Sequence, residues 1–242
     1  MIFIENDCKD AAFHFSAEEY FTRYLRSVSP VLMLWQTEKT VMIGNNQTVT
    51  AEVDLDFAHA CGIKVVRRSS GGGAIYTDSG TLLYTVIEPL ITEAKAHMEE
   101  VAATIVNTLN KMGVPAVREG RNDLLVEGRK ISGLAQYALG SHVCTHGSLL
   151  YDADLETLTT VLIANPDKLH PKGISSIRSR VTNIKPYLGD KCSVFEFISR
   201  LKNELLQLSD PVPYELSAGE LTSIDRIYHK KYANQAWNLG HQ

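Results

Sequence analysis

The sequence predicts an α+β fold, with mixed or antiparallel sheets flanked by helices. Short β-rich runs recur without the regular strand–helix alternation of a doubly wound sheet. Four strand-like segments follow one another between Pro115 and Tyr151 with turn signals between them. One long stretch, Thr92 to Met112, instead carries its apolar residues at helical spacing.

Taken in order, Met1 to Glu5 reads as a strand and Phe15 to Val28 as a helix, opened by the capping-box pattern Ser16-x-x-Glu19. VLMLWQ (Val31 to Gln36) and TVMIG (Thr40 to Gly44) predict an apolar hairpin across a charged link, with Gly44 ending it. Asp54 to Cys61 is a short helix. IKVVR then leads a strand into a run of three glycines, and TLLYTVI leads another out. In the long helix Met98, Val101, Ala102, Ile105, Leu109 and Met112 form one stripe, and Gly113 stands where a C-terminal capping glycine belongs. PAVRE, NDLLVEG and RKISGLAQY are strands, with Glu127-Gly128 as a tight turn between the last two. HVCTHGSLLY is the fourth. Helices at Val194 to Leu208 and Leu221 to Tyr232 flank the proline-containing break DPVPYE.

At 242 residues the chain is near the upper size for one core, so a single domain, or one with a small lobe, is expected. There is no internal repeat, low-complexity tract or obvious linker. No apolar run is long enough to cross a bilayer, and MIFIENDCKD lacks the basic and apolar regions of a signal peptide. The expectation is a soluble, cytoplasmic protein with no membrane partner. Cys8, Cys61, Cys144 and Cys192 form no C-x-x-C pair, which argues for reduced thiols over zinc knuckles or a disulfide framework. A net charge of −4 gives no reason to expect nucleic acid.

Three clusters could carry chemistry. In RRSSGGGA the side-chain-free backbone lets a ligand approach the main chain and offers N–H groups to negative charge. The glycines fit neither a Walker A loop nor a dinucleotide fingerprint, and a glycine-rich hairpin turn shares their composition. Arg67 and Arg68 beside them suit phosphate or carboxylate, or else are solvated surface groups. In GRNDLLVEGRKISGLAQ, the small residues Ser132, Gly133 and Ala135 leave room above a strand that carries Lys130. A lysine so placed can bridge negative charge developing on two substrates, whereas an isolated lysine is usually a surface residue. KGISSIRSRVTNI, Lys172 to Ile184, is a basic, hydroxyl-rich loop or a polar surface connection. His142 and His146 lie four apart on a strand with no carboxylate at a metal-ligand offset, which argues against a metal site. Cys144 between them reads as packing, with a nucleophile as the alternative.

In this order the clusters resemble the lipoate–protein ligase family, whose motifs run approximately R-R-x-S-G-G-G-A-V-x-x-D-x-G, N-D-x-x-x-x-G-x-K-x-x-G-x-A, a histidine-glycine strand, and K-G-I-x-S-V-R-S-R-V-x-N. Here they span Arg67 to Gly80, Asn122 to Ala135, His146-Gly147 and Lys172 to Asn183. AEEY (Ala17 to Tyr20), MIGNNQT and AWNLG extend the likeness over nearly the whole chain. The resemblance implies a biotin/lipoate ligase-like catalytic domain over residues 1–242, without the C-terminal accessory domain of many members. It implies ATP-dependent conversion of lipoate to lipoyl-AMP, with magnesium, and transfer to a lysine of a carrier. The carriers would be lipoyl domains of 2-oxoacid dehydrogenase E2 subunits or the glycine-cleavage H protein, and a separate subunit could supply the accessory lobe. Lys130 would be catalytic. Arg68, Ser70, Gly71, Gly72, Gly73, Ala74, Asn122, Asp123, Gly133 and Ala135 would bind lipoate or lipoyl-AMP. Lys172, Arg178, Arg180 and Asn183 would contact the nucleotide or acceptor, and Asp123 would help hold the metal.

Three positions depart from the family pattern: Asn45 replaces an arginine, Thr77 a histidine and Thr81 an asparagine. Two rival readings accompany the ligase. One is an octanoyl or lipoyl transferase working through a cysteine thioester without ATP, for which Cys144 would have to be the nucleophile. The other is a lipoyl-binding module without catalysis.

Overall fold

Alternation of side chains decides which face of a strand each residue serves. In β2 (Val31–Trp35), Val31, Met33 and Trp35 enter one buried cluster while Leu32 and Leu34 enter another. β6 (Thr81–Pro89) likewise sends Leu82 and Tyr84 one way and Leu83 and Ile87 the other. Both faces of these strands are therefore covered, which places them at the centre of a sheet. In the computed structural model, which describes residues 1–25, 29–163, 180–189, 192–207 and 211–240, that sheet has eight strands. Its order is β11 (Val212–Tyr214), β1 (Ile2–Glu5), β2, β6, β10 (His142–Leu150), β9 (Arg129–Leu139), β8 (Asp123–Val126) and β7 (Val117–Glu119). β1 runs parallel to both its neighbours, and the other pairs are antiparallel.

Helix α1 (Ala11–Tyr24) and helix α8 (Ala218–Ile227) close one face, with Phe15, Phe21 and Ile224 against Val31, Met33 and Ile87. Helix α4 (Ala94–Lys111) and helix α7 (Val194–Leu206) close the other through Val101, Ile105, Leu109, Phe197, Leu201 and Leu205. A second sheet, β4 (Lys64–Arg67), β3 (Thr40–Ile43) and β5 (Ile75–Thr77), packs with α2 (Val49–Glu52), α3 (Leu55–Ala60) and α5 (Leu155–Val161) in a third cluster. The short helix α6 (Lys185–Leu188) precedes α7, and a π-helical turn, Tyr228–Tyr232, and α9 (Gln235–Leu239) follow α8. No described helix is long and apolar enough to cross a membrane.

The α+β class and the long helix agree with expectation, and Gly113 has the positive φ of a C-terminal cap. So does the β8–β9 turn, where Glu127 and Gly128 both take positive φ. VLMLW and TVMI do not form a hairpin: β2 pairs with β1 and β6, while β3 leaves for the second sheet. Helix α1 begins four residues earlier than its sequence pattern suggests, because Asp10 caps it by accepting from the Ala12 amide. Ser16 instead donates to the Ala12 carbonyl inside the helix. The helix ends at Tyr24, and Arg26 to Val28 lie outside the described residues. The proline-containing break holds edge strand β11, where Pro213 needs no ladder N–H on its open side.

His14 on α1 stacks on Trp35 with ring centroids 4.4 Å apart and donates from Nε2 to the Cys8 carbonyl at 2.7 Å. Burial outweighs that bond and the nearby Glu18 and lowers the histidine pKa from 6.5 to about 4. The unfolded chain thus takes up a proton between these values that the folded chain refuses, so stability present above pH 6.5 is lost as pH falls toward 4. The contribution is on the order of 3 kcal/mol. His14→Gln should be less stable than wild type at pH 7 yet lose less stability between pH 6.5 and 4 in denaturant titrations.

Candidate active site

Gly44 ends β3 where the glycine segment approaches it: a Cβ there would lie 2.3 Å from the Gly72 carbonyl oxygen. The segment is gripped by Arg68, which is 4% exposed. Its Nη2 donates to the carbonyls of Gly71 and Gly73 at 2.8 Å, its Nη1 to the Met42 carbonyl at 3.0 Å, and its Nε to Ser70 Oγ at 3.0 Å. Burial lowers the Arg68 pKa to about 10, against the attraction of Glu18. The guanidinium still shapes the loop as a cation at neutral pH.

Ser70 Oγ is also 2.7 Å from Nε2 of His146, and Nδ1 of that imidazole lies 2.9 Å from Glu18 Oε2. With Nδ1 donating to the carboxylate, Nε2 shares its hydrogen bond with the serine hydroxyl. Glu18 Oε1 accepts from Thr85 at 2.6 Å, and Thr85 Oγ1 accepts from the Trp35 indole at 3.0 Å. A buried polar chain therefore runs from α1 through β10 to the glycine segment.

Lys130 reaches the site through a β-bulge. β8 pairs Leu124 with Ser132 but Leu125 with Lys130, leaving Ile131 as the extra residue on β9. That insertion brings Lys130 onto the face of Gly133. A Cβ on Gly133 would sit 2.9 Å from Lys130 Nζ and 3.0 Å from its Cε. Lys130 Nζ is 2.7 Å from Asp123 Oδ1 on the adjacent strand.

These groups surround a narrow cavity of about 100 Å³ lined by Phe15, Trp35, Met42 and Leu83 on its apolar side and by Arg68, Gly72, Gly73, Ala74, Asn122, Gly133, Ala135 and His146. A wider cleft of about 710 Å³ adjoins it, with Glu119, Asp123, Ser132 and Arg180 on its walls. Ala74, Ile75, Lys130, Gly133 and Ser148 line both. The arrangement suits a slender apolar chain whose polar end meets a second, larger reactant beside Lys130.

Most of the expected site residues come together, in unequal roles. Ser70 and Gly71 support the loop from behind and are not among the cavity-lining residues. Asn122 lines the cavity and donates to the Leu134 carbonyl at 3.0 Å. Asn183 is tied through both side-chain ends to the Ala153 backbone, away from cavity and cleft. Lys172 and Arg178 lie outside the described residues. Asp123 does not fit the metal role: it is paired with Lys130, and among the described residues no group of three His, Cys, Asp or Glu donors gathers there. Arg67 is not a ligand group either. It is fully buried and donates to the carbonyls of Gly44, Asn45, Gln47, Trp237 and Asn238. Cys144 is fully buried and not among the cavity-lining residues, and burial pushes its thiol pKa well up, so it is a packing residue.

Thr77 is buried against Thr37, with the hydroxyls 2.8 Å apart, and Thr81 is buried beside Asp78. The Asn45 amide donates to the Ser70 carbonyl, so that position serves through its backbone. Sequence reasoning missed Glu18, Phe15, Trp35 and Met42 as site residues. A signal existed for Glu18, since AEEY places two carboxylates between the apolar residues Phe15, Ala17 and Phe21 of one helix.

Residues 10–206 match the family model of the lipoyl protein ligase A/B catalytic domain. The chain is 35% identical to lipoate–protein ligase LplJ of Bacillus subtilis over 99% of its own length and 74% of that protein. A bi-partite lipoate protein ligase from Thermoplasma acidophilum, solved in a study of that archaeal lipoylation system and its E2 lipoyl domain, superposes with a TM-score of 0.85 at 25% identity, covering 99% of this chain and 96% of that one. A lipoate–protein ligase A bound with ATP shares the fold with a TM-score of 0.84 at 23% identity over 100% and 98% of the two chains. With both the motifs and the fold matched along almost all of its length, this chain belongs to the lipoyl protein ligase A/B catalytic-domain family and is a lipoate–protein ligase family enzyme.

Proposed function

We propose that this enzyme joins lipoate to a lysine of a lipoyl carrier domain in two steps at the junction of cavity and cleft. A lipoate carboxylate oxygen attacks the α-phosphorus of ATP, forming lipoyl-AMP and releasing pyrophosphate. The carrier amine then attacks the acyl carbonyl, an amide forms, and AMP leaves with the bonding pair. The observation that carries this reading is the position of Lys130, which lines both spaces at once. Its ammonium faces negative charge on the carboxyl oxygen and the phosphate in the first step and on the tetrahedral oxygen in the second.

The apolar side of the cavity suits the alkyl chain and dithiolane of lipoate, and Gly72, Gly73 and Ala74 let the acyl end lie against main chain. Arg180, on the wall of the cleft, supports nucleotide or acceptor contact there, and Lys172 and Arg178 would join it. Magnesium would arrive on the ATP phosphates, since Asp123 is held by Lys130, and no step is assigned to it. The carriers would be lipoyl domains of 2-oxoacid dehydrogenase E2 subunits or the glycine-cleavage H protein, in the cytoplasm. Residues 1–242 would act as one catalytic domain. The bi-partite organisation of the Thermoplasma relative supports an accessory subunit that assists adenylation.

Lipoate-dependent exchange of labelled pyrophosphate into ATP tests the reading. Lys130→Ala should lose about 10²–10³-fold in rate, the scale of removing one preorganised electrostatic donor. Cys144→Ala should retain exchange. Transfer from an octanoyl carrier without ATP, abolished by Cys144→Ala, would overturn the proposal in favour of a transferase. Gly133→Ala should also depress exchange, because its Cβ displaces a flexible amine rather than backbone, while thermal unfolding shifts little. Gly44→Ala meets a carbonyl oxygen instead and should cost both activity and stability.

A further inference from the structure

The family match ends at residue 206, yet the glycine segment is held from behind by residues 231–238. Arg67, the last residue of β4, has both main-chain groups satisfied there. Its N–H donates to Asn238 Oδ1 at 2.9 Å, and its carbonyl accepts from the Trp237 indole at 2.9 Å. Its guanidinium spans the gap between this C-terminal segment, through the Trp237 and Asn238 carbonyls, and the turn after β3, through those of Gly44, Asn45 and Gln47. Asn238 is anchored in turn by donating to the Tyr232 carbonyl.

Two residues on, Ser69 Oγ lies 2.8 Å from Lys231 Nζ and 2.7 Å from the Tyr232 hydroxyl. Lys231 and Tyr232 both also donate to Glu19 of α1, at 2.6 and 2.9 Å, and the Lys231 ammonium sits 4.4 Å from the centroid of Trp237. Residues 67 and 69 are thus fixed on each side of Arg68, the residue that grips Gly71 and Gly73.

We propose that Lys231, Trp237 and Asn238 are positioning residues for the site: the C-terminal segment clamps Arg67 and Ser69 so that Arg68 presents the glycine segment in its ligand-ready shape. The functional consequence rests on the ligase reading, but the clamp itself does not. None of the three lines the cavity or the cleft, so they act through the loop and not on the substrate.

Trp237→Phe keeps an aromatic ring, though a smaller one, and removes the indole N–H, and Asn238→Ala removes the acceptor for the Arg67 amide. Amide hydrogen exchange on the full chain reads the clamp directly. Both variants should exchange faster across residues 67–73 while amides of β6 and β10 stay protected, with thermal midpoints close to wild type. Steady-state assays should then show the lipoate KM raised about tenfold per variant, the scale of one buried hydrogen bond, with kcat largely kept. Unchanged exchange across 67–73 in both variants overturns the proposal, as does a uniform loss of protection with no KM effect. If wild type itself performs no lipoate-dependent exchange of pyrophosphate, the ligase reading fails while the amide measurement still decides the clamp.

Discussion

A buried guanidinium needs acceptors for its N–H groups, and in this chain Arg67 and Arg68 find most of theirs in main-chain carbonyls. Taking such a cation out of water is costly unless those groups are satisfied. The converse is that carbonyls engaged this way lose their freedom. A run of three glycines has the least intrinsic reason to hold one shape. Here the Gly71 and Gly73 carbonyls are acceptors of a cation whose other donors are taken by Met42 and Ser70. A flexible sequence becomes a defined wall, and the site can be lined by backbone without being soft.

The second constraint joins parts that are remote along the chain. Glu18 on α1, His146 on β10 and Ser70 on the loop form one hydrogen-bonded chain, closed onto Arg68. The adjacent Glu19 faces the other way, into Lys231 and Tyr232. Burial opposes ionisation of Glu19, but Lys231, Arg23 and Tyr232 outweigh it and hold the carboxyl below its ordinary value of 4.5. Neighbouring glutamates on one helix thus serve the cavity floor and the C-terminal brace. The helix positions both because its first turn is set by Asp10.

Local information was enough for some of this. The stripe from Met98 to Met112 and the Glu127-Gly128 turn depend on periodicity and φ, which short stretches of sequence encode. The small residues Ser132, Gly133 and Ala135 point to open space above β9, but simple alternation would put Gly133 on the face opposite Lys130, and only the bulge brings the two together. The expected β2–β3 hairpin fails because alternation marks a strand but not its partner, and two strands with four residues between them can belong to different sheets. Ser16 misled because a capping pattern inside a helix looks like one at its start, while the real cap lay upstream in a polar segment. Arg67 was misassigned because its partners are carbonyls 20 and 170 residues away, which no local pattern reports. Glu18 and His146, 128 residues apart, were hidden in the same way.

The extra residue Ile131 has an effect that reaches past its own strand. On a regular strand the even-numbered and odd-numbered positions look opposite ways, so Lys130 and Gly133 would face apart. The bulge changes the parity of the count between them, and with it the half-space into which the amine projects. The site geometry is thereby encoded as an integer: conservative exchanges along β9 leave the lysine's bearing intact, whereas pairing Ile131 into a regular ladder would set Lys130 opposite the buried Val126 and turn it away from Gly133.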